Sequence, residues 1–277
     1  MEGFTEEVRA FLHGSGRIFS EQVSEDMVRF DENGRPFSVI AVPIHEKTPE
    51  EAAAKQRLVE LIRRECPHAM ILPEDRWRHS GNLFRKRLSA HLGIFQSVFA
   101  RNCLVRRIPR PEADTFLKDV HSYGSARCRY AYGLFTEKDI QGFQAGSLIA
   151  AASFSNARRI LVGNRSAASY EWIRYASLPG LRVSGGMGKI LKAFLRDIRP
   201  GDVMSYADRE WSEGGVYRRL GFVEEGLREP VLFSIDPVTW ERKALRSGEA
   251  AAEGAYFFMN WGSVKYRLTC LPSESDQ

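Results

Sequence analysis

The chain has 277 residues, 43% of them hydrophobic and 11% aromatic, with 40 Lys and Arg against 35 Asp and Glu. This composition excludes an intrinsically disordered or fibrous chain and suffices for a core in one large domain or two ordinary ones. The apolar runs are far shorter than the ~18 residues of a membrane span, and the acidic start lacks a signal-peptide pattern, so we expect a cytoplasmic protein with no membrane partner. Four widely spaced cysteines without a C-x-x-C pair favour reduced, mostly buried thiols over disulfides or a zinc finger.

The formal net charge of +5 is unevenly distributed along the chain. Between Glu74 and Arg110 nine basic residues face two acids, a local charge of +7 that exceeds the charge of the whole chain. Such a patch is typical of a polyanion partner, here a nucleic acid, although a solvated helix face that keeps the protein soluble is the alternative. The candidate nucleic-acid-binding residues of the patch are Arg76, Arg78, Arg85, Lys86 and Arg87.

The first hundred residues predict a small α/β unit. An amphipathic helix over Glu2–Leu12 precedes two apolar runs around the turn signal Asp31–Gly34, a pattern that favours a hairpin. A helix with an N-cap at Thr48 and a capping-box Glu51 follows, and Ala69–Leu72 is a buried strand candidate. The next helix carries the basic residues of the patch.

The residues after 100 predict a second, larger unit. A helix over Pro111–Val120 is followed by strands whose polar loops favour antiparallel pairing. The predicted strands are Tyr130–Phe135, Ser147–Phe154 and Tyr170–Ala176. The predicted fold class is thus α/β (α+β), with a small α/β domain over 1–100, a mixed, mostly antiparallel sheet flanked by helices over 101–271, and a polar tail over 272–277.

A glycine-rich turn is the clearest local signal for a ligand. The turn runs Val183, Ser184, Gly185, Gly186, Met187, Gly188 and Lys189, between a predicted strand and a predicted helix. Unpaired amide N–H groups and the helix dipole favour an anion there, and we expect Gly186 and Gly188 to keep side chains away from a pyrophosphate while Lys189 adds charge. The turn matches neither G-x-G-x-x-G nor the Walker pattern, and a turn used only for packing is the alternative.

Taken together with a later motif, this turn resembles the GNAT acetyltransferase pattern. Tyr217, Gly221 and Phe222 give Y-x-x-x-G-F after a turn similar to R/Q-x-x-G-x-G/A, with Val183 where the family usually has Arg or Gln. The resemblance implies that residues 183–189 bind the pyrophosphate of acetyl-CoA or another acyl-CoA, and that Tyr217 protonates the departing thiolate.

A longer resemblance is to phage-encoded proteins often labelled Hef-like homing endonucleases. Ser205–Phe222 is similar to their segment S-Y-A-D-R-R-W-S-x-G-x-L-Y-x-x-L-G-F, and the order of shared motifs is kept from about Ala69 to Phe222. The resemblance implies a restriction-endonuclease-like domain over 1–100, followed by a GNAT-like domain akin to the phage Mom DNA-modification protein, which alters adenine.

The first domain departs from that pattern at the position of the nuclease metal site. The candidate strand Phe37–Pro43 has no carboxylate, and Asp31, Glu46 and Lys47 lack the acid-x-Lys spacing that holds Mg²⁺. We therefore expect a degenerate domain with no metal site and no nuclease activity.

Acyl transfer needs a base for the acceptor amine and an acid for the leaving group. The candidate catalytic residues are His121, Asp208, Tyr217 and Glu171. Their plainer alternatives are a surface histidine, a turn cap, a core tyrosine and a solvated strand residue. Trp211 in a predicted loop is a candidate for stacking on a flipped base, with ordinary packing as its alternative.

Three functions fit these observations. The favoured one is a GNAT-like, acyl-CoA-dependent N-acyltransferase that acts on a nucleic-acid base amine. The others are a non-catalytic DNA-binding relic of a mobile-element nuclease and a small-molecule N-acetyltransferase, because a fold does not settle a substrate. The sequence leaves the oligomeric state open.

Overall fold

The computed structural model describes residues 2–140, 142–162, 165–212, 214–246 and 248–270, so the predicted tail over 272–277 lies outside the described residues. In chain order the helices are α1 (Glu2–His13), α2 (Pro49–Glu65), α3 (Glu74–His79), α4 (Gly81–His91), α5 (Arg110–Val120), α6 (Gly186–Ile198) and α7 (Gly215–Arg219). The strands are β1 (Phe19–Ser24), β2 (Met27–Glu32), β3 (Ser38–Val42), β4 (Met70–Pro73), β5 (Gln96–Phe99), β6 (Cys103–Arg107), β7 (Tyr130–Thr136), β8 (Leu148–Phe154), β9 (Arg158–Val162), β10 (Arg165–Ser177), β11 (Leu181–Ser184), β12 (Asp202–Asp208), β13 (Val223–Arg228), β14 (Leu232–Ile235), β15 (Arg242–Ala244), β16 (Tyr256–Met259) and β17 (Ser263–Thr269).

These elements form a mixed α/β fold whose sheets are mostly antiparallel and flanked by helices, which confirms the predicted fold class. The chain divides into two compact units. The first unit comprises the residues up to Arg85 with Ala207–Glu213 and Leu227–Val264, and the second comprises Lys86–Tyr206, Gly214–Gly226 and the residues from Lys265 onward. The predicted domain bounds, 1–100 and 101–271, stay a prediction.

The first unit contains a four-stranded sheet in the order β1-β2-β3-β4 and a three-stranded sheet in the order β15-β14-β16. The predicted hairpin is confirmed, because β2 and β3 pair antiparallel from Val28 with Ala41 to Asp31 with Ser38, and the chain turns after Glu32. Helix α2 begins with the predicted capping box, in which Thr48 accepts a hydrogen bond from the Glu51 amide. Its buried face packs Val59 on Ile40 and Ile71 of the sheet, with Trp261 from the later segment in the same core.

The second unit is organised by an eight-stranded sheet in the order β13-β17-β12-β10-β8-β7-β6, with β9 paired to β10. The predicted antiparallel pairing is confirmed for β7 with β8 and for β8 with β10. Helix α6 packs on this sheet through Phe194, whose ring stacks on Phe154 at a centroid distance of 3.9 Å.

The β10–α6–β12 crossover departs from the antiparallel pairing of the neighbouring strands. Strands β10 and β12 pair in parallel over three residue pairs only, the last being Glu171 with Met204. Beyond Glu171, strand β10 pairs with β8 instead, from Trp172 to Ser177. The two parallel strands thus separate toward their carboxyl ends. Helix α6, which follows β11, begins near that end of β10, because a Cβ atom on Gly186 would overlap the hydroxyl of Tyr175.

Two further expectations concern the thiols and the membrane. All four cysteines are free, but only Cys103 is fully buried and the other three are partly accessible. Among the described residues, no helix has both the length and the apolar character that a membrane span requires.

Candidate functional site

The glycine turn joins β11 to α6 in the second unit. Strand β11 pairs in parallel with β5, which sets Val183 beside Val98 and Ser184 beside Phe99. Gly185 is the N-cap of α6 and has a φ of +78°, a left-handed conformation that glycine adopts without strain. No side chain of the described part of the chain caps this helix end. The first-turn amides of Gly186, Met187 and Gly188 are therefore the groups that can bind an anion.

The glycines of the turn have a different role from the predicted one. A Cβ atom on Gly186 would overlap the Tyr175 hydroxyl and would lie 3.1 Å from Leu134 Cδ1. A Cβ atom on Gly188 would lie 3.2 Å from Leu220 Cδ2. Both positions are thus small because protein atoms fill the adjacent space. The glycine that the backbone conformation requires is Gly185.

Lys189 does not add charge to the turn as expected. Its Nζ donates to the carbonyl oxygen of Ala100 at 3.0 Å and to the carbonyl oxygen of Cys103. The ammonium group therefore holds α6 to the chain between β5 and β6. The exposed cation nearest in sequence to the turn is Arg182, whose guanidinium carbon lies 5.1 Å from the centre of the Phe95 ring.

Tyr217 lies in a cluster of aromatic and hydroxyl groups. Its ring stacks on Tyr266 with centroids 5.2 Å apart and meets Trp172 edge-on at 6.4 Å. The Tyr217 hydroxyl is 2.9 Å from Ser205 Oγ, which in turn is 2.9 Å from the Trp172 carbonyl oxygen. Burial raises the pKa of Tyr217, so the phenol keeps its proton at neutral pH.

One hydroxyl proton decides the direction of this chain of hydrogen bonds. A carbonyl oxygen only accepts, so Ser205 donates its single proton to Trp172. In that arrangement Tyr217 donates to Ser205, whereas Ser205 donates to the Tyr217 oxygen when its proton turns toward the phenol. Sequence reasoning missed Ser205, although it lies in the segment that carries the longer resemblance.

The two candidate bases of the second unit differ in their surroundings. Glu171 is half-buried at the point where β10 leaves β12, and strand alternation directs it away from the face of Tyr170 and Trp172. His121 ends α5, and its Nδ1 accepts a hydrogen bond from the Tyr123 amide at 3.1 Å. The neutral His121 ring therefore carries its proton on Nε2, and the Nδ1 lone pair is already used within the loop.

Asp208 and Trp211 belong to the first unit. Asp208 Oδ1 accepts from the Glu210 amide at 2.9 Å, and its carbonyl oxygen accepts from the amides of Trp211 and Ser212. This is the geometry of a turn cap. Trp211 is only 7% exposed and packs against Phe84 with ring centroids 4.9 Å apart. Its ring is part of the core, contrary to the expectation of a loop aromatic open to a base.

The segment around these residues also supplies Glu210 to a buried ion cluster. Arg242 makes two hydrogen bonds to Asp75, at 2.7 and 2.8 Å, and a third to Glu210 at 2.8 Å. All three side chains are at most 4% exposed. The Glu210 carbonyl accepts from the Ile71 amide beside β4, so this later segment is fixed in the first unit by backbone as well as by charge.

The predicted basic patch is partly neutralised by the chain itself. In the first unit Arg78 pairs with Glu7 and Glu74, Arg85 lies 3.5 Å from Glu7, and Arg76 lies 3.9 Å from buried Glu210. Arg85 also lies over the ring of Trp77 at 4.1 Å. In the second unit Lys86 is exposed and Arg87 is half-buried. Lys86 is thus the predicted residue of this patch with the most accessible charge.

A second polar cluster in the first unit was not predicted. Asp26, His45 and Glu46 each offer a ligand atom, and these atoms lie within 4.8 Å of one another. Lys55 of α2 reaches the same place, with its Nζ 2.8 Å from Asp26 Oδ2 and also paired to Glu46. The arrangement could hold a metal ion, but the Lys55 ammonium already pairs with both carboxylates.

The acid-x-Lys spacing does not reveal this cluster, because its residues lie in three separate segments of the chain. These are Asp26, the pair His45 and Glu46, and Lys55. The register of the hairpin, which pairs Val28 with Ala41, brings Asp26 beside the residues after β3. The tested Asp31 instead binds Arg29 and Ser38.

Comparison with known proteins gives structural likeness only. No protein-family model and no curated protein matches the chain. The ribosomal-protein-S5-alanine acetyltransferase from Vibrio fischeri is similar with a TM-score of 0.36 and 13% identity, over 61% of this chain and 93% of its own. A chain of the NatC complex bound to Gag peptide and CoA is similar with a TM-score of 0.36 and 11% identity, over 61% of this chain and 99% of its own. Eis1 from Mycobacterium abscessus is similar with a TM-score of 0.34 and 17% identity, over 48% of this chain and 33% of its own. The chain thus spans about a third of the length of Eis1.

Similarities at these TM-scores and identities assign neither an activity nor a substrate to the chain. The fold assignment rests on the strand order of the chain itself.

Proposed function

We propose that the protein is an acyl-CoA-dependent N-acyltransferase that acts on an exocyclic amine of a nucleic-acid base. The observation that carries the proposal is the β10–α6–β12 crossover. Its two parallel strands separate after Glu171 and Met204, and the N-terminal turn of α6 begins at the end toward which they separate. Ligands of parallel α/β units bind at the carboxyl ends of the strands, beside helix N-termini that stabilise negative charge.

The first turn of α6 fits a pyrophosphate. The amides of Gly186, Met187 and Gly188 have no side-chain cap within the described residues and would hold the diphosphate of an acyl-CoA. Gly185 is exposed and lets the chain turn into the helix at a positive φ. Bound there, acyl-CoA would supply an activated thioester for transfer to an amine.

Tyr217 and Glu171 are assigned the proton transfers. Tyr217 holds a phenolic proton at neutral pH and would release it to a leaving sulfur if Ser205 turned to donate to the Tyr217 oxygen. Glu171 lies where the two strands part and would accept the proton of the acceptor amine. His121 is less suited to that step because its Nδ1 is used by the Tyr123 amide.

The nucleic-acid acceptor is supported by the local charge of +7 between Glu74 and Arg110. Lys86 is exposed within that segment and is available to a phosphate.

The test is ligand-induced stabilisation followed by product analysis. Acetyl-CoA at up to millimolar concentration should raise the melting temperature of the wild-type protein, and Gly188→Glu should abolish the rise through charge repulsion. Gly188→Gln is the matched control, since it makes a similar contact with Leu220 without the charge. No shift in the wild-type protein would overturn the proposal. If the melting temperature rises but no acylated nucleosides form after incubation with DNA, the protein binds acyl-CoA and the proposed nucleic-acid acceptor is wrong.

A non-catalytic nucleic-acid-binding protein is the second candidate. It is favoured by the internal hydrogen bonds of Lys189 and Tyr217, which use groups that catalysis would need. Replacement of Arg85, Lys86 and Arg87 together should then weaken a steeply salt-dependent DNA affinity. Binding that is absent or independent of salt would count against this candidate.

A further inference from the structure

A cavity of about 410 Å³ opens in the first unit, at the C-terminal end of α2. Its lining residues are Glu60, Arg63, Arg64, Pro67, Arg209, Ser212 and Val264. Three guanidinium groups and one carboxylate give the lining a formal charge of +2. None of these residues belongs to the site described above, and the segment that supplies Arg209 and Ser212 has no role in the proposed acyl transfer.

Arg209 is held in place by two side-chain hydrogen bonds within the described residues. Its Nη1 donates to the Trp261 carbonyl oxygen at 3.0 Å, and its Nη2 donates to Glu60 Oε1 at 2.7 Å. A guanidinium has five N–H donors, so these two bonds orient the group and use two of the five. Arg63 donates to the Arg209 carbonyl oxygen and thereby fixes the backbone of the same residue.

Arg64 completes the basic lining from the exposed side of α2. Arginines in the last turn of a helix also stabilise its dipole, which would be a sufficient reason for Arg63 and Arg64 alone. That reason does not apply to Arg209, which follows β12 and lines the same cavity. Three cations from two separate segments therefore line one cavity, an arrangement that suits an anionic ligand.

We infer that this cavity binds the phosphoryl group of a nucleic acid or of a free nucleotide. The planar donor fork of arginine matches phosphate oxygens, and a cavity of about 410 Å³ falls in the size range of small-ligand sites. The inference concerns the first unit only and does not rest on the proposed acyl transfer.

The experiment compares two charge reversals on one helix. Arg64→Glu changes the cavity, whereas Arg57→Glu changes an exposed arginine of α2 that is outside the lining. A fluorescein-labelled DNA duplex, titrated at several salt concentrations, reports nucleic-acid binding by anisotropy. Inorganic pyrophosphate and ATP, followed by the melting temperature, report binding of a free phosphate or nucleotide.

Arg64→Glu should weaken binding of the responding probe by at least about tenfold, and for DNA should lower the salt slope by about one. Arg57→Glu should change binding by less than about threefold. A response to DNA alone identifies the backbone of a nucleic acid as the source of the bound phosphoryl group. A response to pyrophosphate or ATP identifies a free phosphate or nucleotide as that source. Equal effects of the two reversals, or no response to any probe, would overturn the inference. Arg64→Ala replaces Arg64→Glu if the latter lowers the melting temperature without ligand, and the acetyl-CoA shift should be unchanged in every variant.

Discussion

Ser205 Oγ lies 2.9 Å from the Tyr217 hydroxyl and the same distance from the Trp172 carbonyl oxygen. A single serine proton thus sets whether Tyr217 donates to Ser205 or accepts from it. The hydrogen bond with Ser205 lowers the pKa of Tyr217 against the larger opposing effect of burial. Ser205 is therefore a positioning residue for the phenolic proton.

Replacement of Ser205 by alanine should raise the pKa of Tyr217 further, because the lowering contribution is removed while burial persists. Loss of the buried hydrogen bond should also cost about 1 kcal/mol of stability. Alkaline titration of tyrosine absorbance checks the pKa, with Tyr217→Phe as the control that identifies the transition. A titration curve identical to that of the wild type would contradict the assignment.

Stability should fall as the pH rises from about 10 to about 12, and Tyr132 is one contributor to this fall. Burial, followed by the hydrogen bond to Asp197, raises the pKa of Tyr132 to about 12. A group whose pKa is raised by folding stabilises the protein fully below its unfolded pKa of about 10, and this contribution disappears as the pH passes the folded value.

Urea denaturation at a series of alkaline pH values measures this effect. Tyr132→Phe should be less stable at neutral pH, because the hydrogen bond to Asp197 is lost, but its stability should fall less steeply with pH. Parallel pH dependences of the variant and the wild type would show that another group is responsible.

Alanine at Gly186 should be more destabilising than alanine at Gly188. At Gly186 the new methyl group overlaps the Tyr175 hydroxyl and presses on Val183 and Leu134, whereas at Gly188 the single close neighbour is a flexible leucine end. Overpacking of this kind costs about 1–3 kcal/mol. Melting temperatures of the two variants check the order, and equal values would contradict the packing account.

Patterns confined to one segment predicted the fold well, and patterns that join distant segments did not. The capping box of Thr48 and the hairpin at Asp31–Gly34 are decided by neighbouring residues, so the sequence alone was sufficient. Trp211 looked like a loop aromatic because nothing near it indicates Phe84 as a packing partner. Lys189 and Arg209 likewise donate hydrogen bonds to carbonyl oxygens of segments that are remote in sequence, and no spacing rule predicts such partners.

Arg242 should be the most sensitive charged residue of the first unit. Its removal leaves Asp75 and Glu210 buried without their main cation, and breaking a buried ion pair in this way costs about 3–5 kcal/mol. Arg242→Met should unfold the protein at a much lower urea concentration than Arg246→Met, a change in an arginine outside this cluster. Equal denaturation midpoints for the two variants would refute the role of the cluster.

The protein should not cut DNA in the presence of Mg²⁺ or Mn²⁺. The Lys55 ammonium pairs with both Asp26 and Glu46 and occupies the position where a metal would bind them. Calorimetric titration with Mn²⁺ should therefore show no binding to the wild type, while Lys55→Met should create a weak site by freeing both carboxylates. Asp26→Asn in that background should remove the site again. Wild-type cleavage that Asp26→Asn abolishes would instead establish an active nuclease at this cluster.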